Sequence, residues 1–146
     1  GLSTAQASFG LSVFFVVLLI DRLIILKYIH NINFGLLVVI STLLLGPSLY
    51  LLYAFDWYLI AIILLAVFCA PVFPMAFAWV VKISPGNARI SGFIFFSSIS
   101  GSMIFPYLIG SYMNSLGANL APLLMLVPAL LALVFFGLGY RSLLRI

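Results

Sequence analysis

Charge is what this sequence has least of. Of 146 residues, six are Lys or Arg and two are Asp or Glu, so charged residues make up 5% of the chain. An ordinary globular domain carries roughly a quarter. Hydrophobic residues make up 66%, and a small soluble fold cannot hide that much apolar surface, because small domains keep a large share of their area exposed. A soluble domain is thereby excluded. The single cysteine, Cys69, excludes an intrachain disulfide and a cysteine metal cluster. Its expected role is that of a small apolar packing residue. Side-chain catalysis needs a base beside a nucleophile, or metal ligands at fixed spacing. Asp21, Asp56, His30 and Cys69 are scattered along the chain, and no H-E-x-x-H, paired carboxylate or phosphate-cradling glycine loop is present. The sequence predicts no enzyme, no metal site and no resident cofactor. The chain opens on Gly1 with no basic segment ahead of its first apolar run. It shows no signal-peptide pattern and reads as a piece of a longer chain.

What is present is a series of long apolar runs. A bilayer-spanning helix needs about 20 mostly apolar residues. Five segments qualify, at about 4–20, 34–53, 57–81, 90–113 and 120–139. None carries a polar stripe at the helical period, so none is the surface helix of a soluble bundle. None alternates in the manner of a barrel strand. The predicted fold is all-α, a polytopic transmembrane bundle of five spanning helices forming one domain over 1–146. Its short connections make sequential helices antiparallel neighbours.

The six basic residues give the orientation. Arg22 and Lys27 fall in the first connection, Lys82 and Arg89 in the third, Arg141 and Arg145 in the tail. The second connection holds only Asp56, and the fourth is uncharged. Basic short loops mark the cytoplasmic side. This places the C-terminus in the cytoplasm and the N-terminus outside, in a multi-pass protein of the plasma or inner membrane. Tyr50, Tyr53, Trp57 and Tyr58 surround the outer turn, where an aromatic belt belongs.

Two features of the spans bear on function. The fourth reads "ISGFIFFSSISGSMIFPYLIG", with Gly92, Ser97, Ser98, Ser100, Gly101 and Ser102 making it small and weakly polar. Such residues serve close helix packing through small-xxx-small faces, or line a solvated path with hydroxyls offered to a polar solute. Interior prolines are the second feature. Pro47, Pro71, Pro74, Pro106 and Pro128 fall inside four of the five spans. Each proline lacks an amide hydrogen and frees a carbonyl one turn earlier; Pro71 and Pro74 free those of Val67 and Ala70. An unpaired carbonyl in hydrocarbon costs several kcal/mol. The freed groups therefore predict neighbouring protein, hydroxyls or water, and kinked helices form gates and solute sites in transporters. Phe73, Phe77 and Trp79 beside the kink offer faces on which a sugar ring can stack, or serve packing and lipid contact.

These residues resemble a known family. "LLIDRLIILKYI" is similar to a reduced second copy of the major facilitator loop motif G-x-x-x-D-R-x-G-R-R. It keeps Asp21 and Arg22, has Val17 in place of the leading glycine, and lacks the trailing basic pair, with Lys27 nearby. The stretch from 73 to 110 resembles the tenth and eleventh helices of the fucose permease and sodium-dependent glucose transporter branch. It shows the proline-aromatic opening, a short loop with glycine, and then Gly101, Pro106 and Gly110.

The resemblance implies helices eight to twelve of a twelve-helix major facilitator transporter, although helices two to six share the same topology. It implies secondary active or facilitative transport of a small polar solute, a sugar by preference, by alternating access. The substrate path would include Phe73, Phe77, Trp79, Ser97, Ser100 and Gly101. Pro47, Pro71, Pro74 and Pro106 would act as kinks and gates. Asp21 would hold one conformation closed against a helix terminus, with Arg22 as inner anchor, or stand as an exposed interfacial charge. A proton or sodium ion is the coupling ion such carriers use, and no carboxylate is expected at the midplane of this chain. The implied partners are the lipid bilayer, the solute and the N-terminal half of the same protein; a nucleic acid is not among them. A non-transporting structural or regulatory subunit and a channel-like pore are the alternatives.

Overall fold

A computed structural model describes residues 4–28, 32–54, 57–117 and 120–143, without the side chains of residues 116, 142 and 143. Six helical segments account for nearly all of it: α1 (Thr4–Tyr28), α2 (Phe34–Ala54), α3 (Tyr58–Cys69), α4 (Val72–Ile83), α5 (Ala88–Leu116) and α6 (Ala121–Leu143). No strand occurs among the described residues. With α3 and α4 taken as one span from Tyr58 to Ile83, five helices are long and apolar enough to cross a membrane. Helices are the expected solution for such runs, because each satisfies its own backbone without water.

Two boundaries differ from the sequence expectation in ways that matter. α1 does not stop near residue 20 but continues to Tyr28, so "DRLIILKY" is helical and Asp21 and Arg22 lie inside a candidate span. The four apolar residues Leu23 to Leu26 carry the helix past the charged pair. The third span is interrupted where its prolines stand. α3 ends at Cys69, and Ala70 and Pro71 form the joint, both with right-handed helical angles. The joint is a kink and not an unwound loop. The Ala70 N–H still donates to the Ala66 carbonyl at 3.0 Å, and the Met75 N–H donates to the Pro71 carbonyl at 2.9 Å.

The turn between α4 and α5 follows from its residues. Pro85 and Gly86 are the central pair, Gly86 has φ 77°, and the Asn87 N–H donates to the Ser84 carbonyl at 3.4 Å. Proline followed by a left-handed glycine is the type II turn pattern. Asn87 then caps α5, its side-chain oxygen accepting from the Ile90 N–H at 3.4 Å.

Packing centres on α2, which lies against α3, α4 and α6, while α1 lies against α3. The enclosed positions among the described residues are few and mostly small: Val38, Leu49, Ala61, Ala66, Ala70 and Met75, with Gly10, Gly35, Pro71, Ser41, Thr42 and Ser48. Small residues let helix backbones approach where no hydrophobic effect between helices drives them together. Gly10 shows it at the α1–α3 contact, where an added methyl would come within 2.7 Å of Ile62 Cδ1. Large apolar residues cover the outside, as a lipid-facing surface requires, and no described residue of α5 is buried.

Candidate functional site

The residues expected to line one path fall into three separate places. Phe73 and Phe77, one turn apart on α4, both meet Phe95 of α5, with ring centroids 6.0 and 5.1 Å apart. These rings make the α4–α5 contact. Trp79 stands on another face of α4. It meets Tyr140 at 6.1 Å and lies against Gly35, where a methyl would come within 3.0 Å of its ring, and against Gly139. At 100° per residue, position 79 is about 200° from position 77, so the spacing itself separates Trp79 from Phe73 and Phe77.

Ser97, Ser100 and Gly101 form the third place. Stepping at 100° per residue, Ser97 lies about 160° around α5 from Phe95, with Ser100 and Gly101 close beside it. They therefore face away from α4. Around Gly101 a methyl would meet only Phe105 of the same helix, and around Gly92 and Gly110 it would meet nothing within 4 Å.

Hydrogen bonding divides the described serines into two groups, and Ser41, Ser91 and Ser111 fall with Ser97, Ser98 and Ser100 among those without a side-chain bond. Elsewhere, Ser12, Thr42, Ser48, Ser102 and Ser115 turn their hydroxyls back onto carbonyls three or four residues earlier, at 2.6–3.0 Å. That geometry hides a hydroxyl within its own helix. The hydroxyls of Ser97, Ser98 and Ser100 make no hydrogen bond among the described residues. Three unpaired hydroxyls within one turn of a spanning helix are costly against hydrocarbon.

The prolines occupy contrasting surroundings. Ala70, Pro71 and Met75 are buried, so the α3–α4 kink is enclosed by protein, which is where interrupted backbone is tolerated at membrane depth. Pro47 and Pro106 lie within unbroken stretches of α2 and α5 and are exposed. Pro128 is half-buried in α6.

Asp21 lies seven residues before the end of α1, about 10 Å at a rise of 1.5 Å per residue. Its Oδ2 is buried without a hydrogen-bond partner, and the residue makes no ion pair among the described residues. An acidic side chain inside a span is uncommon and points to function. The sequence put this pair in a loop because two adjacent charges usually end an apolar run. Arg22 is exposed. Asp56, His30 and Arg145 lie outside the described residues. No cluster of three metal-binding side chains occurs among the described residues, and a shallow concavity at Trp57, Tyr58, Leu59 and Ile60 involves none of the expected path residues.

Two groups escaped sequence reasoning. Ser41, Thr42 and Ser48 are enclosed in α2, and the seven-residue spacing of Ser41 and Ser48 was a readable sign of a shared face. Gly35 admits both Trp79 and Tyr140; a methyl there would come within 2.7 Å of Tyr140 Cδ2. In a helix apolar on every side, no pattern marks which glycine does this. No family model, no curated protein and no solved structure matches the chain.

Proposed function

We propose that this chain is part of a membrane carrier for a small polar solute, a sugar by preference, built on the C-terminal half of a major facilitator fold. The observation that carries the reading is the face of α5 at Ser97 and Ser100, whose hydroxyls are neither folded back on the helix nor enclosed by a neighbour. Such a face is badly suited to acyl chains and well suited to a wetted path where a polyol exchanges hydrogen bonds with water. A further part of the protein, the N-terminal half in this reading, supplies the opposite wall. The kink at Pro71 and Pro74 lies within the enclosed part of the bundle, and beyond it α4 reaches α5 through Phe73, Phe77 and Phe95. Bending at that joint would shift α4 and its contact with α5, the kind of helix motion alternating access uses. Asp21 serves as a charge that favours one conformation, with the C-terminus on the cytoplasmic side.

The test is uptake into vesicles containing the full-length protein, with a panel of labelled sugars. A carrier gives saturable uptake and accelerates counterflow from preloaded vesicles. Flux that rises without saturation marks a pore, and no solute-dependent flux marks a structural subunit; either outcome overturns the proposal.

A further inference from the structure

The start of α2, the end of α4 and the end of α6 converge on one aromatic cluster. Trp79 meets Tyr140 edge-on, and Gly35 leaves room for both rings. Two basic residues stand at this junction. Lys82 lies one turn beyond Trp79, with its Nζ 5.7 Å from the centre of the Phe34 ring. Arg141 directly follows Tyr140. Both are exposed, and neither has a carboxylate partner among the described residues. On the membrane side the neighbouring apolar residues are uncovered: Leu36, Val81 and Leu138 are 43%, 38% and 60% exposed.

We propose that this junction binds an anionic phospholipid, with Lys82 and Arg141 holding its phosphate and Leu36, Val81 and Leu138 carrying its acyl chains. Arginine offers a planar fork that matches phosphate oxygens, and lysine adds a compact charge. The Phe34 ring face steadies the ammonium without neutralising it. Tryptophan and tyrosine belong at headgroup depth, and basic sites between helix ends are where anionic headgroups dock. The uncovered apolar residues beside the charges favour a lipid over a soluble phosphate. A zwitterionic headgroup brings its own cation, which two unpaired basic side chains disfavour. The inference does not depend on the transport reading.

The experiment places the full-length protein in phosphatidylcholine vesicles containing a minor fraction of brominated phosphatidylglycerol or, as the neutral control, brominated phosphatidylcholine. The readout is quenching of the fluorescence component that Trp79→Phe removes. The brominated anionic lipid should quench it at lower mole fraction than the neutral one. Lys82→Gln and Arg141→Gln should each weaken that preference by about fivefold, and Lys82→Arg should retain it. Lys27→Gln, which removes the same charge from α1, should leave it unchanged. Counting co-purified phosphatidylglycerol on the wild type and on Lys82→Gln/Arg141→Gln gives a readout that needs no tryptophan. Equal quenching by the two lipids, or an equal loss in Lys27→Gln, overturns the proposal.

Discussion

α2 carries three Ser or Thr residues and α5 seven serines, and the two helices place several of them in contrasting surroundings. In α2, Thr42 and Ser48 are enclosed and donate to the Val38 and Leu44 carbonyls. The helix is surrounded by α3, α4 and α6. In α5, Ser97 and Ser98 are exposed and make no hydrogen bond, on a helix that touches α4 and α6 only sparsely. Hydroxyls folded back on their own backbone let helices pack closely. Hydroxyls left open need an outside partner. Serine content alone therefore does not separate a packing face from a path; the direction of the hydroxyl and the presence of a covering helix do.

The largest effect should come from closing the gap on which the packed region depends. Gly35→Leu forces its side chain into the Trp79 and Tyr140 rings, and overpacking of this kind costs about 1–3 kcal/mol. Thermal unfolding in detergent should show it, whereas Gly92→Leu, where nothing lies within 4 Å, should leave the midpoint unchanged. Equal behaviour of the two variants would erase the contrast between the regions.

Next in size, Ser97→Ala and Ser100→Ala should each raise the KM for transported solute by the worth of one hydrogen bond, about 0.5–1.5 kcal/mol, with stability unaltered. Loss of stability with KM unchanged would instead make α5 a packing helix. Asp21→Asn should slow uptake by less than tenfold, as expected for a charge–dipole contribution of about 0.3–1 kcal/mol, while insertion stays normal. Unaltered transport kinetics would remove Asp21 from the conformational balance. The smallest effect belongs to Ser102→Ala, because that hydroxyl is already bonded to the Ile99 carbonyl. Uptake should match the wild type within error.

The spans were legible because an apolar run of that length has few other uses. The extension of α1 was not, since Asp21, Arg22 and Lys27 read as the start of a loop. A helix needs only continuous backbone, and long basic side chains near a helix end can reach the interface. The kink was legible in Pro71 and Pro74, but not its enclosure. That depends on Ala66, Ala70 and Met75 meeting other helices, and an all-apolar helix does not announce its inner face. The division of the aromatic residues was readable from helical spacing alone: Trp79 cannot share a face with Phe77. The serines of α5 are visible as composition, while their lack of partners depends on which helices cover them, and composition does not encode that.

Whether α5 faces water or lipid is tested most directly by its accessibility. In full-length protein whose native cysteines, Cys69 included, are replaced by alanine, Ser97→Cys and Ser100→Cys are exposed to a membrane-impermeant thiol reagent in intact vesicles. Labelling from water is expected at both positions, slowed when transported solute is present. Labelling by lipid-soluble reagents alone would place this face against acyl chains and contradict that expectation.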